Sequence, residues 1–584
     1  MSWSQPIHPL STVFWSALVA VIPLLYIFWA LVVKKMKGHW AMLSAAGVAI
    51  LVAILVYGMP IRLTFIAMGY GALYGLFPIC WIVIGAIFIF NLTVKSGKFE
   101  IIKHFMSSLS ADRRLQALLI AFSFGAFLEG TAGFGAPVAI TATMLIGLGF
   151  KPIYAAGLCL VANTAPVAFG AVGIPITVAA QLTDLSEMSL SQMVGRTLPF
   201  LSLLIPLYLV HMISGLKKSM EVFPAILVSG GSFAFFQWLS ANYFGPMLPD
   251  IIAGVLSMLS LIVFLKFWKP KQVWQFKEDR FVTQEKERAY SRLEVLRAWS
   301  PFLILTLMIL AWGLQPVKMA LDTLGQLQFK VPGLHDKIIS GASGEPLPQV
   351  FNFNYLSASG TAIFISCLLS IPLVGLRPKE GWSVFLSTLD QLKFPILTIA
   401  AVLGFAYVVN NSGMSLTLAS ALASTGVLFP FFAPVLGWLG VFITGSDTSS
   451  NALFSNLQKA TADSLGLNPV LTVSANSTGG VVGKMISPQS IAVAAAAGGL
   501  VGREADIFRF SIKHSFILLF LICILTVLQA YVFPGIIPEA LPLSGAVTDK
   551  GEEVSKGFMY LIVLFFVLVC VMAFLLWPRS GRKA

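Results

Sequence analysis

Two stretches of this sequence resemble each other, and each places polar residues inside an otherwise apolar segment. The first is residues 127–137 (FLEGTAGFGAP), and the second is residues 442–451 (FITGSDTSSN). An asparagine and then a proline follow each stretch: Asn163 and Pro175 in the first half, Asn476 and Pro488 in the second. The asparagine comes 33 residues after Gly130 in one copy and 31 residues after Gly445 in the other, and 12 residues separate each asparagine from its proline. Duplicated apolar segments that glycine and proline interrupt are typical of the substrate site of a secondary transporter.

The composition indicates a chain that lies mostly in a membrane. Hydrophobic residues make up 57% of the sequence and charged residues only 11%, whereas a soluble protein carries about 25% charged residues. Long stretches contain no Lys, Arg, Asp or Glu: 10–33, 63–94, 198–215, 222–249 and 558–577. Because about 20 apolar residues cross the hydrocarbon core, we predict about 12–14 transmembrane helices. The predicted fold class is an all-α, polytopic integral membrane protein with two pseudo-repeats and no separate soluble domain.

The net charge of +13 would be compatible with a nucleic-acid partner, but the basic residues lie in short loops between apolar segments. Such clusters mark cytoplasmic loops under the positive-inside rule, so we predict no nucleic-acid binding. The clusters are Lys34, Lys35 and Lys37; Lys95, Lys98, Lys103, Arg113 and Arg114; Lys217 and Lys218; and Arg579, Arg582 and Lys583. Segments 317–350 and 533–556 are balanced or acidic. This asymmetry predicts an N-terminus outside the cell and a C-terminus in the cytoplasm.

The chain divides into seven consecutive regions. They are N-terminal spans at 1–114, a first repeat core at 115–182, connecting spans at 183–265, a cytoplasmic loop at 266–298, spans that begin the second half at 299–393, a second repeat core at 394–502, and C-terminal spans with a cytoplasmic tail at 503–584. Each core is predicted to hold a re-entrant hairpin and a broken helix. The cytoplasmic loop is interpreted as a solvated connector between the halves.

Glycine and proline interrupt the helices of both cores. Three glycines and a proline lie within residues 130–137, where glycine lowers helix stability and proline removes a backbone donor. Broken backbone at membrane depth requires burial in protein or a water-filled cavity. Residues 117–149 are therefore predicted to form a helix pair with its tip at 130–137, and residues 431–465 a second pair with its tip at 445–451. The alternative is an extramembrane loop at each tip, which the matched spacings disfavour because surface loops tolerate insertions.

Few ionisable residues lie within the two cores. Glu129 and Asp447 each lie beside a tip, and an ionisable residue in a membrane segment is a functional candidate by default. Because burial disfavours an ionised carboxylate, such a group can bind and release a proton, and we predict both as proton carriers. The alternatives are a helix-end partner for Glu129 and a helix N-cap for Asp447. Lys459 and Asp463, four residues apart, are interpreted as a structural pair on one helix face.

The predicted substrate site combines one ammonium group with neutral polar groups. Lys484 lies in a glycine-rich break, residues 479–488 (GGVVGKMISP), where it can pair with a small carboxylate; the alternative is a lysine that snorkels to the membrane edge. Half-helix N-termini nearby also favour an anion. The predicted substrate-binding residues are Gly130, Thr131, Asn163, Thr164, Ser446, Asn476, Ser477 and Lys484. Interhelical hydrogen bonding is the alternative role for the Ser, Thr and Asn residues, but their paired placement favours a site.

The sequence carries no motif of an enzyme or of a cofactor site. The glycine-rich tips lack the GKS or GKT of a phosphate-binding loop, and HExxH and GxSxG are absent. The cysteines stand singly, without a CxxC pair: Cys80, Cys159, Cys367, Cys523 and Cys570. We therefore predict no cofactor, no metal site and no enzymatic activity.

At these motifs the sequence resembles the L-lactate permease family. The resemblance extends over nearly the whole chain and is carried by 127–137 (FLEGTAGFGAP), 163–175 (NTAPVAFGAVGIP), 445–451 (GSDTSSN) and 483–492 (GKMISPQSIA). It implies a bacterial inner-membrane symporter that takes up L-lactate, and often D-lactate or glycolate, with a proton. It also implies the ion-transporter superfamily, whose two inverted repeats contain re-entrant hairpins and Ser-Asn-Thr-type substrate motifs. Here Ala162 and Ala475 replace the serine of those motifs.

The resulting hypothesis is a proton-coupled importer of small 2-hydroxymonocarboxylates that works by alternating access in the lipid bilayer. A sodium-coupled carboxylate symporter is the near alternative, since the hydroxyl-rich second tip would supply sodium ligands. An integral-membrane enzyme would need a catalytic constellation, which is absent from the sequence. A channel is a third class, which saturable uptake and counterflow would argue against.

Overall fold

The computed structural model describes residues 2–133, 135–276 and 290–539, and these are predominantly helical. The helical segments of the first half are Val13–Ala20, Ile22–Phe28, Trp29–Val33, Gly38–Leu55, Ile61–Tyr74, Gly75–Cys80, Trp81–Lys95, Lys98–Ser107, Arg113–Gln116, Ala117–Phe124, Gly125–Thr131, Ala136–Gly147, Pro152–Ala162, Val167–Phe169, Gly170–Thr183, Glu187–Ser214, Leu216–Met220, Phe223–Tyr243 and Pro249–Phe267. Those of the second half are Arg292–Gly313, Gln315–Gly325, Ser359–Leu373, Pro378–Asn411, Met414–Leu422, Ala423–Leu428, Phe429–Thr444, Asp447–Leu465, Pro469–Gly483, Lys484–Ile486, Pro488–Ala497, Glu504–Tyr531 and Pro534–Ile536.

Strands occur only as short pairs in the described residues. Trp3–Ser4 pairs in parallel with Ile338–Ile339, with Trp3 opposite Ile338. Leu327–Lys330 pairs antiparallel with Val350–Phe353, with Leu327 opposite Phe353. The first pair connects the N-terminus to the segment between the helices Gln315–Gly325 and Ser359–Leu373.

The described residues contain ten helices that are long and apolar enough to cross a membrane, or eleven if a bent helix pair counts as one span. The prediction of an all-α, polytopic membrane protein is therefore confirmed. The predicted span at 557–577 lies outside the described residues, so the total of about 12–14 crossings stays a prediction.

Both repeat cores contain a helix hairpin at the predicted place. The first hairpin runs from Arg113 to Gly147, and its chain reverses beyond Thr131 before the helix Ala136–Gly147 begins. The second hairpin consists of Phe429–Thr444 and Asp447–Leu465. Gly445, with φ +73°, makes the turn of the second hairpin, a conformation that glycine adopts without steric cost.

A broken helix follows each hairpin. The first broken helix consists of Pro152–Ala162 and Val167–Thr183, which are bent by 66°. The second consists of Pro469–Gly483 and Pro488–Ala497, joined by a short 3₁₀ turn. The hairpin and broken helix thus recur in the same order, as the spacings predict, while the inverted relation of the two repeats stays a prediction.

Helices of different regions also pack at short distances through glycine. A Cβ added to Gly71 would lie only 2.4 Å from the carbonyl oxygen of Leu403, so the helices Ile61–Tyr74 and Pro378–Asn411 meet backbone to backbone. Small residues at helix contacts permit this kind of packing in membranes. The first of these helices belongs to the N-terminal spans, and the second continues into the second repeat core.

Candidate functional site

An ion pair joins the two repeat cores inside the protein. The Lys484 ammonium lies 2.5 Å from Oε1 of Glu129, with side chains that are 11% and 3% exposed. Glu129 belongs to the helix Gly125–Thr131 of the first hairpin, and Lys484 directly follows the helix Pro469–Gly483 of the second broken helix. A lysine that snorkels to the membrane edge would leave its ammonium exposed, so this alternative is wrong.

Asp447 lies beside this pair. It is buried in the first turn of Asp447–Leu465, and neither carboxylate oxygen has a hydrogen-bond partner among the described residues. It interacts electrostatically with Lys484 and Glu129. The N-cap alternative for Asp447 is wrong, because the cap is Ser446, whose hydroxyl accepts a hydrogen bond from the backbone of Ser449.

A third carboxyl group, Asp250, belongs to the same cluster. It lies in the first turn of Pro249–Phe267 and is 1% exposed, and both its oxygens lack partners among the described residues. It interacts electrostatically with Glu129 and Lys484. Sequence reasoning missed it because it lies outside the repeat cores; the available signal was a single carboxylate at the start of an otherwise apolar span.

The balance of charge constrains what this cluster can do. Three carboxyl groups (Glu129, Asp250 and Asp447) interact with one ammonium group (Lys484). An unpaired charge is costly in a buried, low-dielectric environment. Protons on the surplus carboxyl groups remove that cost. The arrangement therefore favours proton binding that depends on which carboxylate is paired with Lys484.

The break in the first broken helix presents polar groups without partners. Asn163 and Thr164 follow Pro152–Ala162 and are 5% and 1% exposed. The amide oxygen and nitrogen of Asn163 and the hydroxyl of Thr164 make no hydrogen bond within the described part of the chain. Because buried polar groups are nearly always paired, these unpaired groups are suited to a small polar ligand.

The corresponding residues of the second broken helix are already engaged. The Asn476 side-chain amide donates to Oδ1 of Asn451 (2.8 Å), and the Asn451 amide donates to the Ser477 hydroxyl (2.6 Å) and to the carbonyl of Pro175 (2.9 Å). This network fastens the second hairpin to both broken helices. The predicted substrate role of Asn476 and Ser477 stays a prediction, and their present bonds are between helices.

The remaining predicted substrate residues have local roles in this conformation. The hydroxyl of Thr131 donates to the backbone carbonyl of Phe127 (3.0 Å). Gly130 allows a close approach, since a Cβ there would lie 2.7 Å from Cβ of Asp250. Ser446 caps its helix. Their contact with a substrate stays a prediction.

A large cavity opens between the two halves. Its volume is about 2330 Å³, and its lining includes Tyr74, Thr177, Leu248, Asn410 and Lys459. The cluster residues Glu129, Asp250, Asp447 and Lys484 are not part of this lining. The cavity thus approaches the buried cluster, reaching within two residues of Asp250 at Leu248.

Charged groups on the cavity wall are tied to the protein. The ammonium of Lys459 donates to the backbone carbonyl of Thr183 (2.7 Å) and interacts electrostatically with Asp463 and Asp184. Lys459 and Asp463, predicted as a structural pair, interact electrostatically, while the ammonium of Lys459 donates its hydrogen bond to the carbonyl of Thr183. Within residues 2–133, 135–276 and 290–539, no group of three or more His, Cys, Asp or Glu residues is arranged to hold a metal ion.

Known proteins match this chain over nearly its full length. The model of the L-lactate permease family matches residues 16–533. An L-lactate permease of Bacillus subtilis (strain 168) is 53% identical over 564 residues, which cover 92% of this chain and 100% of that protein. Glycolate permease GlcA of Escherichia coli (strain K12) is 51% identical over 557 residues, and the L-lactate permease of the same strain is 48% identical over 549 residues, each with 92% of this chain and 100% of the relative covered.

These matches confirm the prediction of a transporter rather than an enzyme, since the family is one of permeases. They also agree with a multi-pass membrane protein, as the apolar helices indicate. The chain belongs to the L-lactate permease family.

Proposed function

We propose that this protein imports L-lactate, and also D-lactate and glycolate, across the bacterial inner membrane by symport with a proton. The named relatives are L-lactate and glycolate permeases that align over their whole length. The observation that carries the proton coupling is the buried pair of Lys484 and Glu129. The carboxylate of Glu129 binds the Lys484 ammonium group, which the carboxylate of a substrate would otherwise bind.

Coupling follows from competition for Lys484. When Glu129 binds a proton it becomes neutral and releases the ammonium, which then pairs with the carboxylate of lactate. When lactate leaves, Glu129 gives up its proton and returns to Lys484. Neither state leaves a buried charge unpaired, which would be costly. Each cycle carries one anion and one proton, so transport is electroneutral and the pH gradient drives it.

Neutral groups position the rest of the substrate. The unpaired amide of Asn163 and hydroxyl of Thr164 have the donors and acceptors that the 2-hydroxyl of lactate requires. Gly130, Thr131 and Ser446 place the two tips beside the anion, and Asn476 and Ser477 exchange their bonds with Asn451 for bonds to the substrate in another state of the cycle.

Asp447 shares the single coupled proton with Glu129 in this proposal. It interacts with both members of the ion pair and has unpaired oxygens within the described residues. Asp447→Asn keeps the shape of the side chain but fixes it in a neutral form. Proton-driven uptake is therefore abolished, while exchange of bound lactate continues.

The cavity defines the side from which substrate enters. Its lining includes the N-terminal residues Gln5 and His8 and the segment 340–359. From the distribution of basic loops we infer that these parts lie outside the cell and that the C-terminus lies in the cytoplasm. The described conformation then opens outwards, with the charge cluster closed off below it.

The test is uptake of labelled L-lactate into proteoliposomes that contain only this protein, with an inward proton gradient and no sodium. Accumulation that a protonophore abolishes supports the proposal. Uptake that requires a sodium gradient would replace the proton with sodium as the coupling ion, and uptake of another carboxylate alone would change the substrate.

A variant series then tests the competition for Lys484. Glu129→Gln mimics the neutral form, so accumulation is lost while counterflow of lactate remains and no longer depends on pH. The matched control is Asp390→Asn, which changes a carboxylate that is 75% exposed and pairs with Lys393 on the surface. Accumulation at the wild-type rate by Glu129→Gln would contradict the competition.

A further inference from the structure

Asp250 is a buried carboxyl group that the proposed competition for Lys484 does not use. Its side chain is 1% exposed, and both oxygens lack hydrogen-bond partners within the described part of the chain. A carboxyl group that is buried at the start of an apolar helix carries a large desolvation cost. Such a residue is a functional candidate by default. Packing alone does not require a carboxylate there.

The position of Asp250 links two parts of the molecule. Leu248, two residues before it, lines the large cavity between the halves. On the other side, Cβ of Asp250 would lie 2.7 Å from a Cβ at Gly130, the residue next to Glu129. Asp250 therefore lies against the first hairpin and two residues along the chain from the lining of the cavity.

Glu129 has a free atom for such a neighbour. Its Oε1 holds Lys484 at 2.5 Å, whereas its Oε2 is buried and has no hydrogen-bond partner among the described residues. The charged groups that act on Asp250 are Glu129 and Lys484, and Gln237 is the neutral polar group beside it. A proton that reaches Oε2 would weaken the bond of Glu129 to Lys484.

The ionised and neutral forms of Asp250 both have support. The N-terminus of Pro249–Phe267 stabilises the negative charge through the helix dipole, while burial stabilises the protonated form. A group that passes protons on must be able to exist in both forms.

We propose that Asp250 relays protons between the cavity and Glu129. This inference rests on the proposed function and adds the route by which the proton arrives. The O–H bond of protonated Asp250 breaks, and the proton forms a bond to Oε2 of Glu129. Asp250, now ionised, takes up a proton from a hydronium ion that enters through the cavity and becomes water, and the steps run in reverse on release.

The relay is tested by separating proton movement from substrate movement. Asp250→Asn and Asp250→Glu are reconstituted beside the wild type and the surface control Asp390→Asn. Two rates are measured between about pH 5.5 and about pH 8. The first is accumulation of labelled L-lactate under an inward proton gradient. The second is counterflow of labelled against unlabelled lactate without a gradient.

The expected result is a split between the two rates. Asp250→Asn slows accumulation by roughly a hundredfold, the lower end of what a positioned proton-transfer group contributes, and leaves counterflow within about twofold of the wild type, since exchange proceeds with the proton retained. Asp250→Glu restores a carboxyl group, so accumulation partly returns with an altered pH profile.

Two outcomes would overturn the relay. Wild-type accumulation by Asp250→Asn would show that the proton takes another route. Equal loss of accumulation and counterflow in both variants, with a lowered melting temperature, would show a structural role. Failure of the proposed function is distinct, because the wild-type protein itself would then show no proton-driven accumulation.

Discussion

The ion pair between Lys484 and Glu129 leads to a quantitative prediction about stability. The two charged atoms are 2.5 Å apart, and the side chains are 11% and 3% exposed. At this distance the Coulomb attraction is about 7 kcal/mol for an effective dielectric constant of about 20. Desolvation costs several kcal/mol for each ion, so the net worth of the pair is much smaller. Removing only one partner has a larger effect, because the other charge stays buried.

We therefore predict that Lys484→Met lowers the free energy of unfolding by about 3–5 kcal/mol, the usual cost of breaking a buried pair. In the double variant Lys484→Met/Glu129→Gln most of this loss is recovered, since no charge is left unpaired.

The assay is reversible unfolding in mixed micelles with increasing sodium dodecyl sulfate, followed by circular dichroism. The wild type, both single variants and the double variant form a double-mutant cycle, which isolates the interaction between the two residues. Lys393→Met is the matched control, because that ammonium is 55% exposed and 2.7 Å from Asp390, and an exposed pair contributes at most about 1 kcal/mol. Strictly additive losses would refute the buried pair.

Two further predictions concern packing and the beginning of the first hairpin. Gly437→Ala destabilises the protein and abolishes transport, because the added Cβ would lie 1.8 Å from a backbone oxygen of the second broken helix; Gly47→Ala, which meets nothing within 4 Å, is expected to leave the melting temperature and lactate uptake unchanged. Arg114→Gln lowers the free energy of unfolding by about 3–5 kcal/mol, since it leaves buried Asp112 without its ion-pair partner at 2.7 Å. Lys218→Met, which removes an ammonium that is 44% exposed, is the control in the same unfolding assay, and equal effects of both changes would contradict the argument.

The order of elements in the cores could be predicted from the sequence because local chemistry determines it. Glycine at position 445 allows the left-handed turn of the second tip, and proline opens both arms of the second broken helix. The pair of Glu129 and Lys484 could not be predicted in this way. Its members are 355 residues apart, and no local spacing records which hairpin meets which break.

The two asparagines of the repeat show a second limit of sequence reasoning. Asn163 and Asn476 occupy equivalent positions, and the sequence predicts the same role for both. In the structure Asn476 is bonded to Asn451 (2.8 Å), whereas Asn163 has no partner among the described residues. Bonding depends on what the opposite hairpin supplies, and the first hairpin has a tip of glycine and alanine where the second has serine and asparagine.

This asymmetry supports different roles for the two hairpins in the proposed cycle. In the second hairpin, the Asn451 amide donates hydrogen bonds to Ser477 and to the carbonyl of Pro175 in the first broken helix. These bonds connect the two halves of the protein. The first hairpin forms one ion pair with the second repeat, Glu129 with Lys484, and its helix Ala136–Gly147 also packs against Pro488–Ala497. Protonation of Glu129 would weaken that pair while leaving the Asn451 network intact. The first hairpin is therefore the element that we expect to move when a proton and lactate bind, because its ion pair with the second repeat depends on the charge that the proton removes.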